Sequence, residues 1–183
     1  MGLRVVTPVV RSARGFALID LLFVIAIIGV VASMAMPGLI RARASAGVAS
    51  AIGSLRVINS AQISYAITCG AGFYAPNLTT LGTAPPGTTQ GFISLDLGSA
   101  NTVQKSGYVI QMAATAIAGA PASCNGLAAG QGAVAYRAGA DPTDPVLNRF
   151  FGTNASGTIY EANATLYAVM PEAAPTPFGS PVQ

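Results

Sequence analysis

Residues 16–40 are FALIDLLFVIAIIGVVASMAMPGLI, and this stretch decides the fold. Its only ionisable side chain is Asp20, so residues 21–40 form an unbroken run of twenty uncharged positions. A helix of that length reaches about 30 Å, which is roughly the thickness of the hydrocarbon layer of a bilayer. The stretch therefore predicts a transmembrane helix close to the N-terminus.

The basic residues indicate which side of the membrane each part should occupy. The net charge is +3, but Arg4, Arg11 and Arg14 all precede the apolar stretch, and residues 16–183 carry six basic against six acidic side chains. Basic residues that flank a span tend to stay in the cytoplasm. We therefore expect a cytoplasmic leader and an extracytoplasmic domain after residue 40. The neutral remainder does not imply a nucleic-acid partner.

The composition argues against an enzyme. A chain of 183 residues accommodates one domain plus an appended segment. Histidine is absent, which removes the commonest general base and the commonest metal ligand. Cys69 and Cys124 are too far apart in sequence for a CxxC metal or redox site. We predict a protein without catalytic activity, metal or cofactor.

The two cysteines permit two interpretations. In an exported domain, Cys69 and Cys124 are most simply a disulfide, which would close a loop of about 55 residues and stabilise the fold by about 4 kcal/mol in the chain-entropy model. The alternative is a pair of buried thiols.

Helical periodicity continues from residue 41 to 68, a segment without proline. At about 100° per residue, apolar side chains of this segment fall on one stripe while its polar side chains lie largely elsewhere. The stripe contains Val48, Ile52, Leu55, Ile63 and Ala66, and the polar group contains Arg41, Arg56, Asn59 and Ser60. We predict one helix from residue 16 to about residue 68, about 80 Å long. Residues 16–40 would span the membrane, residues 41–68 would be amphipathic, and Pro37 should kink the helix.

Residues 69–183 should form an extracytoplasmic globular head. The chain from residue 69 to 104 is rich in Gly, Pro, Thr and Asn, which predicts a loop-rich connector with room for a short helix. Strand candidates follow at residues 107–112, 133–138, 149–153 and 157–160, and the last two would be joined by a turn in which Gly157 supplies conformational freedom. The tail after Pro171 should be irregular. The predicted fold class is α+β, with one long N-terminal helix packed on a small antiparallel sheet.

The sequence around Gly15 resembles the N-terminus of the prepilin family, which comprises type IV prepilins and type II secretion pseudopilins. The resemblance lies in Arg14-Gly15-Phe16-Ala17-Leu18-Ile19-Asp20-Leu21-Leu22, followed by Val24-Ile25-Ala26-Ile27-Ile28-Gly29 and Pro37. It implies a pilin-like fold, cleavage between Gly15 and Phe16 by a membrane aspartyl protease, the prepilin peptidase, and N-methylation of Phe16. The acidic residue of the family falls on Asp20, where the family usually has Glu, and its helix-kinking proline falls on Pro37.

Asp20 has a physical cost that the resemblance helps to explain. A carboxylate within a membrane span costs on the order of 3 kcal/mol on insertion scales. Cleavage after Gly15 would create a cationic amine on Phe16, and a neighbouring copy could pair that amine with Asp20. Such a pair is satisfied only at one axial offset, so Asp20 would set the register of subunit assembly. The alternatives for Asp20 are a helix N-cap or an end-of-span acid whose carboxylate reaches the interface.

Three functional hypotheses follow. The first is the structural subunit of a type IV pilus, a homo-oligomeric helical filament that the assembly machinery draws from the bacterial inner membrane. The second is a pseudopilin of a type II secretion system, which shares the same N-terminal motif. The third is an exported binding protein or enzyme, released by ordinary signal peptidase after Ser33-Met34-Ala35.

Overall fold

A computed structural model describes residues 18–144, 147–174 and 178–182. The predicted leader, Gly15 and Phe16 lie outside these residues. The elements are helices α1 (Leu18–Thr68), α2 (Leu78–Gly82) and α3 (Leu95–Gly98), and strands β1 (Thr102–Lys105), β2 (Tyr108–Ala113), β3 (Arg137–Pro142), β4 (Phe150–Asn154), β5 (Ile159–Ala162) and β6 (Ser180–Pro181). The chain divides into two compact units, residues 1–41 and residues 42–183, which we call the N-terminal unit and the head.

Helix α1 is 51 residues long and ends at Thr68, where the sequence predicted its end. Pro37 lies inside it. The kink predicted at this proline stays a prediction. At the C-terminal end of α1, the amide of Gly70 bonds the carbonyl of Tyr65 and the amide of Gly72 bonds the carbonyl of Ala66. These bonds satisfy carbonyls that the end of a helix leaves without intrahelical partners.

The head is built on a six-stranded sheet in which each strand pairs antiparallel with its neighbours in the sequence, in the order β1 to β6. Alternate side chains of β2, including Ile110, are buried in the same core as Leu55 and Ile58 of α1. Tyr108 and Phe151 are also fully buried in this core, with ring centroids 5.9 Å apart. The predicted combination of one long helix with a small antiparallel sheet is thus confirmed at the level of layout.

The buried stripe of α1 differs from the predicted one at three positions. Ile63 is 53% exposed, although the periodicity placed it inside, and Asn59 is only 8% exposed, although it was placed outside. Asn59 is tolerated in the core because its amide is hydrogen-bonded there, to Thr153 at 2.9 Å and to the carbonyl of Gly157 at 3.1 Å. Ile58, which the prediction did not include, is fully buried.

The strand predictions were accurate to within two residues for β2, β4 and β5 and inaccurate elsewhere. Strand β3 begins at Arg137, so the predicted strand 133–138 is wrong over most of its length. Ala133 instead exchanges two hydrogen bonds with Tyr74, at 2.7 and 3.0 Å, in an isolated bridge. Strand β1 lies partly in the predicted connector, and β6 lies in the tail that was expected to be irregular.

The other face of the sheet is covered by residues 163–174. Leu166 and Met170 of this segment are buried against Tyr160 of β5. The close approach requires glycine, because a Cβ atom on Gly152 would lie 2.8 Å from the Cβ of Leu166, and one on Gly139 would lie 2.6 Å from the Cβ of Tyr167. This face of the sheet is therefore covered at β3, β4 and β5, whereas the edge strand β6 is exposed.

A disulfide joins the end of α1 to a distant loop. Cys69 and Cys124 are bonded, with their Cα atoms 4.8 Å apart. Close by in sequence, Gln62 of α1 holds the connector through the backbone of Ala75, donating to its carbonyl at 2.8 Å and accepting from its amide at 2.9 Å. The last turns of the helix are thus tied to the head by covalent and polar contacts as well as by the apolar core.

Candidate functional site: an exposed apolar helix

The candidate site is the apolar segment of α1, residues 18–40. Every residue of this segment is exposed, and its large apolar side chains are between 47% and 77% exposed. Burying one such side chain stabilises a protein by about 1.5–3 kcal/mol. Exposed apolar surface on this scale marks a site that another molecule or a membrane covers. By length and composition, the helix could cross a membrane.

Asp20 is the only acidic side chain in the apolar segment. Leu18 and Ile19 before it already have helical conformation, so Asp20 is not the N-cap of α1. Its carboxylate is exposed on a surface that is otherwise apolar. Of the alternatives for Asp20, the N-cap interpretation is therefore excluded by the conformation of the chain.

Arg41 immediately follows the apolar segment, and Arg43 follows two positions later. Both side chains are exposed. Asp20 and Arg41 therefore flank twenty uncharged residues, with a negative charge at the N-terminal end and a positive charge at the C-terminal end. A base directly after an uncharged run is visible in the sequence alone, but the predictions gave Arg41 no role beyond its place among the polar residues of the helix.

Six charged side chains of the head, by contrast, form local ion pairs. These pairs join Lys105 to Asp96 at 2.5 Å, Arg149 to Glu161 at 2.5 Å, and Arg137 to Glu172 at 3.9 Å. Across the ranges that the structure describes, no ion pair includes Asp20, Arg41 or Arg43. The exposed charges of Asp20, Arg41 and Arg43 thus remain available to a partner.

The pKa values of two side chains in the head are shifted by their contacts and their burial. Arg149 contacts both carboxylate oxygens of Glu161 and lowers the pKa of that carboxyl. Burial raises the pKa of the Tyr136 hydroxyl, which donates a hydrogen bond of 3.0 Å to Asn59. The Tyr136–Asn59 pair is buried between the sheet region and α1, whereas the Arg149–Glu161 pair lies at the surface.

The outward face of α1 in the head carries a wide, open groove. Its lining includes Arg56, Val57, Ser60, Ser64 and Phe92. Arg56, Ser60 and Ser64 are its polar side chains, and all three are exposed. In the described ranges 18–144, 147–174 and 178–182, no group of three or more His, Cys, Asp or Glu side chains could hold a metal ion.

Comparison with protein-family models, with characterised proteins and with solved structures finds no match for this chain. The geometry places Asp20 and Pro37 on the same helix and joins Cys69 to Cys124. Gly15 and Phe16, the predicted cleavage and methylation residues, are outside the described residues, so their roles stay predictions.

Proposed function

We propose that this chain is a prepilin, the precursor of a structural subunit of a type IV pilus filament. The observation that carries the proposal is the apolar segment, a helix exposed on every side that continues directly into the head. Lipid would cover this helix before assembly, and neighbouring copies would cover it in the filament. Both environments remove the same apolar side chains from water, so transfer between them is inexpensive.

The chemistry of the chain in this proposal is done to it by another enzyme. Prepilin peptidase would cut after Gly15, and Phe16 would become the methylated N-terminus. The new amine would supply the positive charge that Asp20 lacks in a neighbouring copy. A charge buried without a partner costs several kcal/mol, so copies would assemble at the offset that pairs amine with carboxylate.

The head supports this function through its attachment to α1. Side chains from Ala51 to Ala66 lie in the core of the head, and the disulfide at Cys69 adds a covalent tie directly after the helix. Load on the helix would therefore reach the sheet through a buried interface. This arrangement suits a subunit that must hold its head on the outside of a filament.

Mass spectrometry of the N-terminus tests the proposal. The full chain is produced in cells that contain prepilin peptidase, and the membrane fraction is analysed. We expect a protein that begins at N-methylated Phe16, and a Gly15→Leu variant should keep its leader. A start at Met36 would indicate ordinary signal peptidase and would overturn the proposal, as would an uncleaved wild-type chain.

The location of the filaments distinguishes the two members of the family. Filaments that shear from the cell surface indicate a pilus subunit, as proposed. Filaments confined to the periplasm would instead assign the chain to a type II secretion system.

A further inference from the structure

We infer that Arg41 is a second partner of Asp20 in the filament, supplied by a copy displaced along the axis by one apolar segment. The inference rests on the proposed function, because it concerns how copies of the same helix pack. It adds a side-chain cation to the N-terminal amine and predicts a second contact between subunits. The partner is another copy of this chain.

The spacing of the two charges carries the inference. Asp20 and Arg41 are 21 positions apart on one helix, with only uncharged residues between them. At about 1.5 Å per residue this separation is about 31 Å along a straight helix. Two parallel copies without an offset would place Asp20 beside Asp20 and Arg41 beside Arg41, which is repulsive. An offset of about 31 Å brings opposite charges together instead.

The same offset also lets the apolar segments of successive copies cover one another without a gap or an overlap along the axis. It places the start of one apolar segment at the end of the next, so that segments follow one another along the filament. Four positions of a helix correspond to about 6 Å along the axis, so an amine at Phe16 would pair with Asp20 of a different neighbour, one at that smaller offset. A carboxylate has two oxygens and accepts from both cations.

Arg43 provides a matched comparison for Arg41. The two residues are two positions apart, so their side chains leave the helix about 200° apart. A neighbour that meets Arg41 therefore does not meet Arg43. Both side chains are exposed and neither has an ion pair in the described chain. If Arg41 pairs with Asp20, substitution of Arg41 should impair filament assembly and the same substitution of Arg43 should not.

Charge reversal of each arginine is the first test. Filaments are sheared from cells that produce full-length wild type, Arg41→Glu, Arg43→Glu or Arg41→Lys, and the subunit in each fraction is quantified. We expect Arg41→Glu to lower the filament yield at least about tenfold, because it leaves two acids facing each other. Arg43→Glu should stay within about twofold of wild type, and Arg41→Lys should retain most of the yield because it keeps the charge.

Cysteine cross-linking tests the offset itself. Val24 and Ser45 lie four positions beyond Asp20 and Arg41, on the same faces of the helix, and both are exposed. Oxidation of filaments that carry Val24→Cys and Ser45→Cys together should produce covalent multimers. The control pairs Val24→Cys with Leu39→Cys, an offset shorter by about 9 Å, and should not cross-link. A single-cysteine variant can cross-link only to the same position in another copy, so each one detects neighbours at zero offset.

The outcomes separate this inference from the proposed function. Failure of the wild-type chain to be cut before Phe16 overturns both. If wild type is processed and needs Asp20 for filaments, the proposed function stands. Normal filament yield from Arg41→Glu, or no cross-link between positions 24 and 45, then overturns the pairing of Arg41 with Asp20 alone.

Discussion

The side-chain amide of Asn59 on α1 donates a hydrogen bond of 2.9 Å to the hydroxyl of Thr153 on β4, across 94 positions of sequence. Thr153 passes the interaction on by donating to the carbonyl of Thr158 at 2.9 Å, and Tyr136 donates to the amide oxygen of Asn59 at 3.0 Å. The contacts of Asn59 join the helix to the sheet region, and the bond from Thr153 to Thr158 lies within the hairpin of β4 and β5. A buried network of this kind fixes which residues of α1 face the sheet.

Replacing Asn59 should destabilise the head. Asn59→Ala leaves the Tyr136 hydroxyl and the Gly157 carbonyl without their partner, so we expect a loss of about 2–4 kcal/mol. Urea unfolding of the full chain in detergent measures the change. The exposed neighbour is the control, and Ser60→Ala should change stability by less than about 0.5 kcal/mol. Equal effects of the two substitutions would show that the network contributes nothing.

Two glycines of α1 should respond oppositely to the same substitution. A Cβ on Gly47 would lie 2.7 Å from the carbonyl oxygen of Ser106, whereas a Cβ on Gly53 would meet nothing within 4 Å. Gly47→Ala should therefore destabilise the head by about 1–3 kcal/mol. Gly53→Ala should stabilise it by about 0.5–1 kcal/mol through helix propensity. The same unfolding measurement applies, and stabilisation by Gly47→Ala would contradict the packing described.

Loss of the disulfide should weaken the head measurably. The double substitution of Cys69 and Cys124 by Ser removes the closure of a loop whose ends are 55 positions apart. We expect a cost of about 2–4 kcal/mol, seen as a lower urea midpoint. Adding a reductant should lower the midpoint of wild type and leave that of the double variant unchanged. A wild-type midpoint insensitive to complete reduction would count against a stabilising role.

Asp141 should make the head less stable as the pH rises. Burial raises the pKa of its carboxyl, against the opposing effect of a hydrogen bond from Thr165. The folded state therefore binds a proton more tightly than the unfolded state, and stability falls with rising pH between the unfolded value of about 3.9 and the raised folded value. Asp141→Asn should be more stable than wild type at pH 7, with a gain that vanishes in acid.

Glu161 should have the opposite effect on how the stability of the head depends on pH. Its pKa is lowered, chiefly by the hydrogen bond from Arg149, so its contribution is present at neutral pH and is lost as the pH falls through the folded value. Glu161→Gln should therefore be less stable than wild type at pH 7. Unfolding curves of both variants between pH 3 and pH 7 check the two slopes, and the same sign for both would refute the assignment.

Local patterns predicted the end of the helix and strands β2, β4 and β5 well. The end of α1 at Thr68 and the turn between β4 and β5 follow from sequence neighbours, and Gly157 has the positive φ of 79° that a turn glycine supplies. The apolar segment was also predicted from sequence alone, because a run of twenty uncharged residues can be identified without knowledge of long-range contacts.

Long-range pairing explains what the sequence did not predict. Asn59 is polar, so periodicity predicts that it is exposed. It is buried because Thr153 and Tyr136 supply its hydrogen-bond partners. Strand β1 has a weak pattern of its own and exists because Val103 pairs with Ile110 of β2. Ala133 has the composition of a strand, but its hydrogen bonds go to Tyr74, from a segment 59 positions earlier. Each of these outcomes depends on a residue that periodicity does not identify.

The central claim is that copies of this chain assemble through a helix whose single acid needs a cation from a neighbour. Filament yield from Asp20→Ala tests it most directly, with Asp20→Glu as the control that keeps the charge. We predict that Asp20→Ala lowers the yield at least about tenfold while the processed subunit accumulates in the membrane, and that Asp20→Glu forms filaments. Wild-type amounts of filament from Asp20→Ala would contradict the account.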